Sequence, residues 1–165
     1  MLLAAAMLAV AFVPMVLAYL QLGYHGDLDT TSDSESPIRD AERTLGLALQ
    51  DAVEGIPDRH PWPDRDAAVT AVRNRLEPDL AALNRSAVTT GTAYGVTYNA
   101  SRATRWRRGH CPDGPDRRFG SCLADRGVVV QDRAGETHVL AAAFDIRVTT
   151  PAGTWQASVV VRVGR

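Results

Sequence analysis

VVVQDRAGETHVLAAAFDIRVTTPAGTWQASVVVRV, residues 128–163, is the stretch whose reading decides the fold. Val128, Val129 and Val130 open a strand. Asp132-Arg133-Ala134-Gly135 reads as a turn, with Gly135 suited to a left-handed position. Downstream the apolar residues fall at every second position, the period of a strand with one buried face. His138, Leu140, Ala142, Phe144, Ile146 and Val148 are therefore expected to share that face. Thr150-Pro151-Ala152-Gly153 is a second turn, with proline at the position its fixed φ favours. Trp155, Ala157, Val159, Val161 and Val163 then line the inner face of a last strand. Two long strands joined by short turns can pair only antiparallel.

Upstream, AYGVTYN (Ala93–Asn99) also alternates, with Tyr94, Val96 and Tyr98 pointing one way. A long loop carrying both cysteines is expected between it and Val128. Residues 37–85 read differently, as helices. Leu45, Ala48, Leu49, Ala52, Val53 and Ile56 recur at helical spacing after Pro37, and the run ends at Gly55-Ile56-Pro57. His60-Pro61-Trp62-Pro63 is a stiff connector, and Asp64 is suited to cap a second helix. Val69, Val72, Leu76, Leu80 and Leu83 lie on one face of that helix, which Pro78 is expected to kink or restart. The expectation is an α+β domain at 37–165, with helices at 37–85 and a sheet at 87–165. Amphipathic helices would cover one side of an antiparallel meander of about four strands.

The chain begins differently. From Leu2 to Gly26 there is no Asp, Glu, Lys or Arg. Leu2–Leu22 as a helix would be roughly 31 Å long, the thickness of a bilayer's hydrocarbon core. Tyr19 and Tyr24 fall at interfacial positions, and Pro14 is tolerable in a bundled membrane helix. Residues 1–26 are read as a single-pass anchor held by membrane lipid through residues 2–22. The acidic stretch DLDTTSDSES (27–36) is read as a flexible spacer. The far side carries Asp27, Asp29, Asp33 and Glu35, which favours the N-terminus inside and the domain outside the cell membrane. The rival reading is a secretory signal cleaved after Ala18. Both readings send the domain out of the cytoplasm.

All 18 basic residues are arginine, and the net charge of −1 conceals an asymmetry. Residues 27–80 carry 13 acids and 6 arginines, whereas residues 81–165 carry 6 acids and 12 arginines. Arg102, Arg105, Arg107, Arg108, Arg117 and Arg118 surround Trp106. They are read as a solvated basic loop, as a contact for an anionic ligand, or as the surface that meets the acidic half of another copy. No nucleic acid partner is expected. Cys111 and Cys122 enclose PDGPDRRFGS, a segment rich in turn residues, and a disulfide is favoured in an oxidising compartment. A metal site built with His110 and Asp113 or Asp116 is the sharper alternative, but one cysteine pair so spaced is poor evidence for zinc. No metal or other cofactor is expected. Asn84-Arg85-Ser86 and Asn99-Ala100-Ser101 fit the acceptor pattern for N-glycosylation. No nucleophile elbow or phosphate loop is present, and no catalytic residues are assigned.

An apolar N-terminal helix, a spacer, amphipathic helices and a terminal antiparallel sheet resemble the organisation of type IV pilins and pseudopilins. More closely, AYLQLGYHGD (18–27), YGVTYN (94–99), CPDGPDRRFGSC (111–122) and VVVQDRAGETHVLAAAFDIRV (128–148) resemble an uncharacterised family of small single-pass proteins from halophilic archaea. The resemblance implies a membrane-anchored structural component that works through contacts with like or pilin-like subunits. It departs from true pilins in lacking a prepilin cleavage motif and a Glu near the start of the apolar run. The alternative function is an extracytoplasmic binding module that presents the Arg–Trp segment to an anionic ligand.

Overall fold

The computed structural model describes residues 36–85, 91–112 and 119–164. The expected anchor (1–26) and most of the acidic spacer (27–36) lie outside these residues, as do Asp113, Asp116, Arg117 and Arg118. Among the described residues no helix is long and apolar enough to cross a membrane.

Helix α1 (Ser36–Val53) buries a single stripe, Ala41, Leu45, Ala48, Leu49 and Ala52. These are the i, i+3, i+4 positions that put one face of a helix on a core. Gly55, at φ 64, makes the left-handed turn that ends this run. The short helix α2 (Ile56–Arg59) then drops Ile56 into the core. Carbonyls at the end of α1 would otherwise be orphaned. Arg75 donates to the carbonyls of Ala52 and Glu54 at 2.9 Å each, placing positive charge where the helix dipole is negative. A 3-10 turn (Trp62–Asp64) leads directly into helix α3 (Arg65–Arg85). Ala68, Val69, Val72, Leu76 and Leu80 are its buried residues. Pro78 neither ends nor restarts α3. It lies on the exposed side of the helix, away from the buried stripe.

The sheet has five strands among the described residues: β1 (Ala93–Tyr98), β2 (Phe119–Asp125), β3 (Val128–Arg133), β4 (Glu136–Thr150) and β5 (Gly153–Arg162). All pairings are antiparallel. Strands β2 to β5 form consecutive hairpins, as a meander should. Strand β1 is different, because it shares an edge of β4 with β3. Val128–Arg133 pairs with the first half of β4, and Ala93–Tyr98 with the second half. The two meet at Ala143, whose N–H donates to the Gly127 carbonyl at 2.8 Å and whose carbonyl accepts from Asn99 N–H at 2.9 Å. Strand β5 takes the other edge of β4. Two tight turns carry the positive φ angles that such hairpins need, at Arg126-Gly127 and Ala134-Gly135.

The expected face of β4 is corrected by a bulge. Val129 pairs with Ala141, yet Val130 pairs with Val139, which leaves Leu140 as an extra residue. The bulge reverses the alternation. Ala142, Phe144, Ile146 and Val148 face α1 and α3 together with Val139, while Leu140 packs on the opposite side. His138 leaves the apolar face with it and sits 3.5 Å from Glu136. Helices also cover both faces, where the sequence pattern suggested one. The segment expected as a loop after Asn99 is helix α4 (Ala100–His110). It lies over Val129, Ala141 and Ala143, on the face away from α1 and α3. The small side chains of Ala141 and Ala143 on that face make the close approach sterically easy.

Phe144 is fully buried and its ring lies 4.9 Å from that of Tyr98. Phe144→Ala is expected to cost about 3–5 kcal/mol in chemical denaturation. Leu47→Ala on α1, at a residue 62% exposed, should change stability by under ~0.5 kcal/mol. Equal effects would contradict this placement of the core.

Candidate functional site

Two surfaces flank α4, and both are set by how that helix starts and stops. Asn99 is its N-cap, with Oδ1 accepting from the Arg102 N–H at 2.7 Å and from the Ser101 hydroxyl at 2.8 Å. The last turn carries Arg107, Arg108 and His110, the sign that suits a helix C-terminus. Cys111 closes the helix and is joined to Cys122 of β2 by a disulfide, with the two Cα atoms 6.3 Å apart. The buried Gln131 donates to the Pro112 carbonyl at 2.7 Å and fixes the chain just beyond the bond.

This helix separates the arginines that the sequence places around Trp106. Ala103 is buried and Trp106 half-buried against the sheet, where Trp106 stacks on His110 at 4.8 Å. Arg107 turns to β2 and donates to the Cys122 carbonyl at 2.8 Å. Arg102 is half-buried, with its Nε enclosed and lacking a hydrogen-bond partner. Among the described arginines of this set, Arg105 and Arg108 stand exposed, beside Ser101 and Thr104 on the outer side of the helix. Trp106 lines a different groove, of about 490 Å³, with Gln50, His110, Arg133, Leu140 and Arg162 among its walls. Arg133 and Arg162 come from β3 and β5, and sequence spacing gives no hint of that meeting. Among the described residues no three of His, Cys, Asp or Glu gather as metal ligands.

Because α4 shields only part of its face, none of the described residues covers the far half of the sheet beside Asn99. A polar groove of about 500 Å³ lies there, lined by Thr97, Asp145, Arg147, Gln156 and Ser158, with Gly95 as bare floor. Asp145 accepts a hydrogen bond from the Ser158 hydroxyl and another, at 2.7 Å, from the Asn99 amide. These donors, Ser158 foremost, hold its carboxyl below the usual 3.8. Near the same end of the sheet, on its other face, burial pushes the Tyr98 phenol up to about 12, with Arg73 opposing and Glu77 adding. The Arg73 guanidinium lies 3.9 Å from the centre of that ring. The groove offers one carboxylate, one guanidinium and several hydrogen-bonding groups on rigid strands, which is the equipment of a recognition surface. Asp145 was not singled out from the sequence, although an acid inside the apolar run of β4 was a signal that could have found it. Its partners left no such signal, since they come from 46 and 13 residues away.

Both candidate glycosylation asparagines have internal roles. Asn84 bonds to the backbone of Val96, and Asn99 serves α4 and Asp145. Asn99→Ala removes a cap, at a cost of about 1 kcal/mol at neutral pH. It also removes a donor to Asp145. A carboxyl held low in the folded state contributes stability above its ordinary value, and that contribution is lost as pH falls through the folded value. The gap between Asn99→Ala and the parent, measured by urea denaturation, should therefore narrow below pH 3.8. A gap that widens on acidification would refute the assignment.

No curated protein and no solved structure matches the chain. One family model does, over residues 1–162, and its description is a family of unknown function, DUF7261. The match takes in the apolar N-terminus together with both helical and strand regions. On that evidence the chain belongs to the DUF7261 family.

Proposed function

We propose that this is a membrane-anchored, extracytoplasmic structural or interaction protein of pilin-like layout, without catalytic activity. In this reading residues 2–22 hold the chain in the cell membrane with the N-terminus inside. The domain from Pro37 onward stands outside and works through contacts with other subunits.

The observation that carries the reading is the disulfide between Cys111 and Cys122. Such bonds persist in oxidising compartments and are rare where thiols are kept reduced. It supports the same destination as the charge-free run at the N-terminus, from an independent part of the chain. The layout of the domain is a second support. Helix α1 follows the spacer and lays its apolar stripe on an antiparallel sheet, the arrangement that the pilin-like resemblance implies. The charge asymmetry of the two halves gives the subunit contacts a basis for orientation.

The test is fractionation of cells that express the full chain, with N-terminal sequencing and thiol labelling of each fraction. The expected result is a chain retaining residues 2–22 in the membrane fraction, with Cys111 and Cys122 unreactive until reduced. A full-length chain in the cytosolic fraction with both thiols reactive would overturn the proposal.

A further inference from the structure

We infer that β5 is an interface strand, pairing antiparallel with β5 of a second copy of this chain about a twofold axis at Ser158. The inference goes beyond membrane anchoring and stands whether or not residues 2–22 lie in a bilayer.

It starts from the edges of the sheet. An exposed strand edge is a row of unpaired N–H and C=O groups, and proteins that must stay single usually obstruct it. Two of the three edges here are obstructed. On β1, the Asn84 amide takes the place of a neighbouring strand: its Oδ1 accepts from Val96 N–H at 2.7 Å and its Nδ2 faces the Val96 carbonyl at 3.4 Å. On β2, the register breaks between Phe119 and Cys122, Arg107 takes the Cys122 carbonyl, and the disulfide ties the strand to α4. Strand β5 has none of these devices among the described residues. It runs ten residues, Gly153–Arg162, without proline, and its register with β4 is unbroken from Arg162 to Gly153.

One hydrogen bond fixes which backbone groups face outward. Val163 N–H donates to the Leu140 carbonyl at 2.9 Å. With Arg162 opposite Ala141, the odd-numbered residues of β5 bond to β4. The outward groups are then those of Thr154, Gln156, Ser158, Val160 and Arg162. They are centred on Ser158, so a twofold axis there satisfies them all at once. Thr154 meets Arg162 of the second copy, Gln156 meets Val160, and Ser158 meets itself. About ten intermolecular hydrogen bonds result, and the two sheets become continuous.

The side chains fit the same register. On the face of α1 and α3, Trp155 would lie across from Val161 and Ala157 across from Val159, pairing large with smaller residues. Arg162 is the strand's only charged side chain and lands opposite Thr154, so no like charges are brought together. No other register of the strand with itself uses all five outward residues. The absence of like-charge contacts and the pairing of large with small side chains in the register centred on Ser158 are the reason to assign a second copy as the occupant.

The register makes a sharp demand on cross-linking. Facing Cα atoms in a hydrogen-bonded pair are about 5.5 Å apart, within disulfide reach. In the full chain, held in detergent and mildly oxidised, Ser158→Cys should form covalent dimer at least about tenfold faster than Thr154→Cys, whose counterpart lies far along the strand. Gln156→Pro removes an outward donor while sparing the bonds to β4, and should weaken dimerisation at least about tenfold in sedimentation analysis. Circular dichroism checks that this variant keeps its fold. Equal cross-linking of the two cysteine variants, or a dimer untouched by a folded Gln156→Pro, would overturn the inference.

Discussion

Strand β4 carries the domain, and the single extra residue at Leu140 decides how. On either side of the bulge, from Glu136 to Ala142, the strand pairs with β3, and past Ala143 with β1. Without the change of alternation, Ala142, Phe144, Ile146 and Val148 could not share a face with Val139. The bulge also gives the opposite face its own small cluster, Ala141, Ala143 and the projecting Leu140, on which α4 can settle. A two-sided sheet in a chain this short needs such a device, since one strand has to serve two cores. The connector His60–Pro61 is tied to the beginning of β4 by Thr137, which is buried and bonds to both residues' carbonyls. Helices α1 and α3 are thus registered on the sheet at the same place.

The rest of the surface chemistry follows from where α4 begins and ends. It begins at Asn99, beside the last pair of β1 and β4, because the Asn99 amide caps the helix and its backbone bonds to Ala143. Among the described residues that start leaves the distal half of the sheet uncovered and shapes the polar groove around Asp145. It ends at Cys111, where the disulfide and the Arg107 bond to Cys122 fasten it to β2. Of the four arginines of α4, Arg107 is taken up by this fastening and Arg102 is half-buried. The exposed arginines of α4 are Arg105 and Arg108, and around Trp106 positive charge comes from Arg133 and Arg162 of other elements.

Much of the architecture was legible in the sequence because it rests on local signals. The stripes of α1 and α3, the face shared by Tyr94, Val96 and Tyr98, and the turns at Ala134-Gly135 and after Thr150 all appear as the periodicities suggest. The failures have physical causes. A bulge inserts one residue and leaves no mark on composition, so period-two counting carried His138 and Leu140 onto the wrong face. Helix α4 is rich in arginine and poor in large apolar residues, since it packs through Ala103 and Trp106, so its amphipathic signal is weak. Its cap, Asn99 followed by Ala-Ser-Arg, was the readable clue, but the same triplet also fits a glycosylation pattern. Of the two outcomes expected at Pro78, a kink or a restart, the restart does not occur, because the proline lies on the exposed side of a continuous helix. The polar groove draws on β1, β4 and β5, and pairing registers of that range are beyond any local reading.

If β4 is the structural spine, its amides should be the last to open. Native-state hydrogen exchange on the full chain measures this directly. The account predicts that the amides of Ala143, Phe144, Ile146 and Val148 exchange only through global unfolding, more slowly than those of α4 and the ends of α1. Exchange in the middle of β4 at the rate of α4, with α1 outlasting both, would contradict it.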